Sequence, residues 1–209
     1  MTCRWRPQAR TVIIPRMPTV LDRPETPARR RFDVDAYYRM AETGILSARD
    51  RVELIDGEII EMAPIGAPHG GKVDRLNSLV AGLVADGRVI ARVQGPLRLD
   101  RRNEPQPDLM LLRPRADFYE SAHPTAADVL LLVEVADSSL AWDRGPKLAL
   151  YARHGVGEVW IVDLVGRAVE VCRKPGPEGY AERATVRDGV LTAGLVPTLH
   201  IDVGSLMGT

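Results

Sequence analysis

The spacing of apolar positions along the chain changes in a regular way, and each change marks an element. In "FDVDAYYRMAETG", residues 32–44, Val34, Tyr37, Tyr38 and Ala41 recur at helical spacing. Asp33 is placed to cap the first turn and Gly44 to end the last, so a short helix is predicted there. In "RVELIDGEIIEM", residues 51–62, Asp56-Gly57 lies between two apolar-rich runs. A two-residue hairpin turn at that dipeptide pairs Ile55 with Glu58 and Glu53 with Ile60. From about Lys72 to Asp86, Val73, Leu76, Val80, Leu83 and Val84 predict an amphipathic helix that Gly87 closes, with His69 just before it.

Beyond Gly87, "VIARVQGPLRL" and "DLMLLR" read as strands joined by "DRRNEPQP", whose prolines exclude a regular element. A polar loop over residues 114–128 leads to "VLLLVEVA", apolar at every position except Glu134. So continuous a run fits a strand covered on both faces. A helix follows from about Asp143 to Arg153, closed by His154-Gly155, where His154 suits the negative end of the helix dipole. "EVWIVD" is a further strand, and "RAVEVCRK" and "YAERATV" form a hairpin around "PGPEG". "DGVLTAGLVPTLHIDVGSLM" is expected to pack on the sheet edge as a tail. The order predicts an α/β fold with a central sheet covered by helices.

Composition sets the limits. A chain of 209 residues, 45% of them hydrophobic, supports one domain with a substantial core. Residues 1–31 hold five prolines and no sustained period, so a loosely ordered arm is expected before a single domain at 32–209. That arm has eight arginines against Asp22 and Glu25, a net +6; the chain is neutral overall, so the remainder is −6. Contact with phosphate is therefore expected from local clusters or from the arm. Met17 opens a shorter chain that keeps everything from Phe32 onward, so residues 1–16 are expected to be dispensable; the rival expectation is that they add salt-sensitive phosphate contacts.

Cys3 and Cys172 show neither metal-ligand spacing nor a disulfide framework, which suits a reducing, cytoplasmic setting. No apolar stretch approaches the ~20 residues that span a bilayer, so no membrane association is expected.

The chemistry lies in three carboxylates. Glu134 is in the most apolar strand, Asp108 opens another after Pro107, and Glu53 shares a hairpin face with Ile55, Ile60 and Met62. Burying an unpaired carboxylate costs on the order of several kcal/mol, so a partner is required. Each acid alone could pair with an arginine or begin a turn. A shared hard divalent cation answers both the burial cost and the mutual repulsion, and Mg²⁺ is bound by one or two carboxylates while keeping water for a phosphate substrate. On the following helix, Asp143, Lys147 and Tyr151 fall on one stripe, with Leu148 and Ala152 toward the sheet. Spacing alone makes Asp143 and Lys147 an ordinary surface pair.

"RVELIDGEIIEM", "APHGGKVDRL", "EPQPDLMLLR", "LLVEVADSS" and "DRGPKLALYARHGVGEVWIVD", in that order, resemble the Uma family of putative endonucleases, within the PD-(D/E)xK restriction-endonuclease-like superfamily. The resemblance runs from about Phe32 to Asp202. It implies a restriction-endonuclease-like core, a mixed sheet flanked by helices, with an N-terminal helix and hairpin and extra C-terminal strands. It implies an endonuclease acting on DNA, with Mg²⁺, for which Mn²⁺ can substitute, held by Asp108 and Glu134 and supported by Glu53. The superfamily motif asks for lysine two residues after the second acid, where this chain has Ala136; the resemblance assigns that work to Lys147 on the next helix. The family pattern also shows a histidine at His69; with Gln94, in the strand leading toward the Pro107-Asp108 turn, and Tyr151, on the Lys147 stripe, it is a candidate substrate-binding residue, and a homodimer is carried as an expectation. For His69 a loop cap, and for Gln94 an outward polar position, are the competing readings. Two other functions stay open: a catalytically silent nuclease-fold module that binds DNA or a partner, and a metal-free hydrolase or lyase of a small substrate.

Overall fold

The computed structural model describes residues 29–47 and 49–208. Most of the expected arm, residues 1–16 and Cys3 included, lies outside the described residues. Residues 31–209 form one compact unit.

Helix α1, Val34–Glu42, begins as its sequence requires: Asp33 is the N-cap and its side chain accepts from Ala36 N. Strands β1, Val52–Ile55, and β2, Glu58–Glu61, form the expected hairpin with the register Glu53↔Ile60 and Ile55↔Glu58. Asp56 and Gly57 both take positive φ, +48° and +74°, as that tight turn demands.

Helix α2 spans Ala67–Ala85 and so starts a turn earlier than its apolar period suggests. Pro68 is the reason: a proline in the first turn lacks only an N–H that would be unbonded there in any case. His69 is consequently inside the first turn of α2 and not in a loop before it.

The central sheet has six strands in the order β3-β4-β5-β6-β7-β8: Ile90–Val93, Leu109–Leu112, Val129–Ala136, Glu158–Asp163, Ala168–Gly176 and Gly179–Val186. Neighbours are antiparallel except β5 and β6, which are parallel. Parallel strands need a crossover, and the helical run between them supplies it. That run is α3, Leu140–Trp142, a π-helical turn over Asp143–Lys147, and α4, Leu148–Arg153. It starts earlier than the predicted Asp143. The β7–β8 pairing continues through Gly176↔Gly179, so the loop is shorter than "PGPEG".

Alternation along the strands sorts the core into two layers. Leu109, Leu111, Leu131, Val133 and Val135 join α2 residues Val73, Leu76 and Val80 on one face of the sheet. Met110, Leu112, Leu132 and Ala136 join Leu148, Tyr151 and Ala152 on the other. All eight residues of β5 are buried, which accounts for its unbroken apolar run.

The C-terminal segment corrects one expectation. β9, Val190–Thr192, and β10, His200–Asp202, form a two-stranded sheet of their own, followed by α5, Val203–Met207. Leu191, Leu199, Ile201 and Leu206 enter the α2-side core, so the tail covers a face of the sheet and leaves its edge. Lys72 and Arg75 of α2 fasten it by donating to Leu206 O and Ser205 O at 2.6 and 2.7 Å. No helix among the described residues is long and apolar enough to cross a membrane.

Candidate active site

Strand parity decides where the acids point. Asp108 precedes Leu109 in β4, and Leu109 pairs with Val133 of β5, so Asp108 and Glu134 are neighbours across two adjacent strands. Both have even numbers and share the face of Met110, Leu132 and Ala136, which is covered by the crossover helix. That helix carries Lys147.

The lysine enters the acid cluster. Lys147 Nζ is 2.8 Å from Glu134 Oε1 and 3.3 Å from Glu53 Oε2. The π-helical turn that ends at Lys147 holds Pro146, whose missing N–H and ring disfavour α-helical bonding at that point. Arg144 in the same turn is anchored to Asp163 at 3.0 Å and Glu170 at 2.7 Å. Asp143 and Lys147 are thus buried, at 5% and 4% exposure, and are not the surface pair that spacing alone suggests.

Glu53 reaches the site because the hairpin is tied to the loop before Asp108. Leu54 and Glu104 exchange backbone hydrogen bonds, and in Pro105-Gln106-Pro107 the only N–H, that of Gln106, donates to Glu53 Oε2 at 3.1 Å. The Gln106 side chain donates to Val52 O. Gln106 escapes sequence inspection, although the two flanking prolines, by removing every other donor, are its signal.

Asp108 is held at both oxygens. Oδ1 is 2.9 Å from His69 Nε2 and accepts from Gln94 Nε2 at 3.3 Å; Oδ2 accepts from Val135 N at 2.8 Å. Gln94, at φ +48°, therefore turns onto Asp108 and not outward. Tyr151 is fully buried and its hydroxyl donates to Glu134 Oε1 at 2.6 Å. Tyr151 thus supports Glu134 from within the core. Ala136 is also fully buried among apolar side chains, so the position of the standard motif lysine has no room for one.

The electrostatics follow from crowding. Burial, reinforced by Asp143 and Asp108 and opposed by Lys147, pushes the Glu134 carboxyl up to about 8. Burial also raises Asp143. For Asp108, burial is outweighed by His69 and Val135 N, and the carboxyl is held below its usual range. His69 is raised by its bond to Asp108. Burial alone would depress Lys147, but Glu134, Glu53 and Asp143 outweigh it and keep the ammonium charged.

These side chains line a cavity of about 310 Å³ that also takes in Arg51, Met62, Ile65, Ser139 and Trp142. Four buried carboxyl groups, Glu53, Asp108, Glu134 and Asp143, share this space with Lys147 and His69. Crowded hard-oxygen donors are the ligand chemistry that Mg²⁺ takes, so the residues fit that ion in donor type. Among the described residues no preformed cage of three His, Cys, Asp or Glu groups is present, because Lys147 stands between the glutamates.

Comparison with known proteins agrees with this architecture. The family described as "Uma2: Putative restriction endonuclease" matches residues 34–204. Among solved structures, a "putative nuclease belonging to DUF820" from Anabaena variabilis superposes with a TM-score of 0.66 at 16% identity, covering 85% of this chain and 98% of that one. No curated protein matches.

Proposed function

This chain belongs to the Uma2 family of putative restriction endonucleases, and on that premise we propose that it is a Mg²⁺-dependent endonuclease that hydrolyses phosphodiester bonds of DNA. The observation that carries the proposal is the entry of Lys147 into the Glu53, Glu134 and Asp108 cluster from another element. A surface lysine would not be buried against two glutamates, and a purely structural ion pair would not need the third and fourth carboxylates.

In this reading Asp108 and Glu134 hold the cation and Glu53 supports it. When bound, the ion polarises the phosphoryl group and favours the deprotonated form of the attacking water. The residues of the chain do the rest. His69 and Val135 N fix the Asp108 carboxylate, while Tyr151 fixes Glu134. Lys147, kept charged by the glutamates and part of the cavity wall, would place its ammonium against the charge that develops on the phosphate. His69, raised in proton affinity and part of the cavity wall, is suited to contact a phosphate oxygen.

The test is nicking of supercoiled plasmid in Mg²⁺, in Mn²⁺ and in chelator, beside Glu134→Ala and Lys147→Ala. Metal-dependent cutting lost in both variants supports the proposal. DNA binding without cutting in either metal would make the chain a silent module, and turnover of a small ester in chelator would favour the metal-free hydrolase.

A further inference from the structure

Above its acids the cleft changes character. The reacting groups are recessed: the side chains of Glu53, Glu134 and Lys147 are 2%, 4% and 6% exposed. Around them the β2–α2 link contributes Met62, Pro64 and Ile65, and the end of α3 contributes Trp142. Phosphate chemistry has no use for an apolar wall, whereas every nucleobase has an apolar face that stacks on aromatic and aliphatic side chains.

Trp160, buried, and Trp142, half-buried, differ in a telling way. Trp160 is a core residue, and its indole N–H donates to Glu158 Oε1 at 2.7 Å. The Trp142 N–H is shielded from solvent and has no hydrogen-bond partner among the described residues. A structural tryptophan ordinarily has its N–H satisfied, so no hydrogen bond explains why Trp142 is placed at the cleft. Ile65, on the rim, is 43% exposed, so much of its apolar surface is open to a ligand. Arg51 also lines the cleft; one of its donors holds the rim through Ala63 O at 2.7 Å, which fixes a guanidinium with further N–H groups at the cleft wall.

Size restricts what can enter. A volume of about 310 Å³ is at the small end of the range, roughly 300–1,000 Å³, typical of single small-molecule sites. In a stacked duplex each base face is covered by its neighbours, so a base that stacks on Trp142 must be unpaired and turned out of the stack. One sugar, base and phosphate match the size of the cavity.

Resting on the nuclease reading, we propose that the cleft takes one unpaired nucleotide of a DNA strand, its base against Trp142 and Ile65 and its adjoining phosphate on Arg51. The substrate is then single-stranded or locally unpaired DNA, and Trp142 is a specificity-determining residue.

Fluorescence anisotropy tests this with the full chain in Ca²⁺ at low salt, using three labelled probes: a thymidine octamer, an abasic octamer with the same phosphates, and a blunt hairpin duplex. The thymidine strand should bind on the order of tenfold more tightly than either of the others. Trp142→Ala and the surface change Ile65→Asp should each remove most of that advantage, and Trp142→Phe should keep it. Equal binding of thymidine and abasic strands, or of strand and duplex, overturns the inference, as does full affinity in Ile65→Asp. Efficient Mg²⁺-dependent cutting of intact duplex with no preference for unpaired DNA overturns this inference and leaves the nuclease reading standing. No binding and no cutting of any DNA overturns both.

Discussion

Lys147 Nζ lies 2.8 Å from Glu134 Oε1, although thirteen residues and a change from strand to helix separate them in the chain. The pair is the crossover geometry in miniature: β5 sets the acid on the helix-covered face, and the π-helical turn aims the lysine back at it.

Lys147→Ala should lower the rate of DNA cleavage by about a hundredfold or more, the usual scale for losing one charged contact to the transition state, with metal affinity little reduced. Lys147→Arg should rescue poorly, because a planar fork does not replace a compact ammonium between two carboxylates. Adding Ala136→Lys to Lys147→Ala should restore nothing and lower the melting temperature, since Ala136 is fully buried in an apolar layer. Single-turnover cleavage at the wild-type rate in Lys147→Ala would reduce the lysine to a structural counter-ion.

Asp108→Asn and Glu134→Gln keep the volume of each acid and remove its charge. Calorimetry should show Mg²⁺ and Mn²⁺ binding lost or weakened at least tenfold in each. Glu134→Ala should in addition lose about 1–3 kcal/mol of stability, because it leaves the buried Tyr151 hydroxyl unbonded and Lys147 with less counter-charge. Full metal binding in both isosteric variants would place the cation elsewhere.

Stability in chelator should fall as pH rises from about 4.5 to about 8. The folded-state value of Glu134 is raised to about 8 from 4.5, so its proton favours the folded form. That contribution is complete below about 4.5 and is lost as pH rises through about 8. His69 has the same sign, since it too is raised, whereas Asp108 is lowered and its contribution disappears only in acid. Mg²⁺ should flatten the profile and release protons as it binds, with affinity increasing toward pH 8. Melting curves with and without Mg²⁺ provide the check, and a flat profile in chelator would contradict the crowding of the acids.

The hairpin turn that carries Glu53 tolerates little. Gly57 has φ +74°, and a Cβ there would lie 2.8 Å from Arg31 Cβ and Phe32 O. Gly44 has a similar φ, +76°, and open space around it. Gly57→Ala should therefore cost at least about 1 kcal/mol and more than Gly44→Ala, which meets only the backbone penalty. Chemical denaturation of the two variants compares them directly; equal losses would show that the close approach to residues 31 and 32 is relaxed without cost.

Much of the fold was legible in the chain because the signals were local. Asp33 and Gly44 bound α1 through bonds to their own turns, and Asp56-Gly57 imposes a turn whose register then follows by counting. The unbroken run of β5 announced burial on both sides before any neighbour was known. The start of α2 is masked in the chain because Pro68 and two glycines resemble a loop, although proline is at home in a first turn. Hydrophobic spacing reports that the tail is covered and not what covers it; Lys72, Arg75 and the α2-side core place it on a face.

The candidate site divides in the same way. That Glu53, Asp108 and Glu134 are costly charges in apolar surroundings was written in the sequence, since desolvation depends on residue type and neighbouring hydrophobicity. Where each charge finds its compensation was not. Asp108 and Glu134 meet through the β4–β5 register, Glu53 arrives through a bond to Gln106, and Tyr151 turns out to support Glu134 within the core. Lys147 reaches two carboxylates only because a π-helical turn shifts the phase of its helix. The sequence by itself determined which groups must be neutralised and which strands carry them. Tertiary structure alone decided which cation does it, because ion pairing falls off within a few ångströms and that distance is set by the packing of elements far apart in the chain.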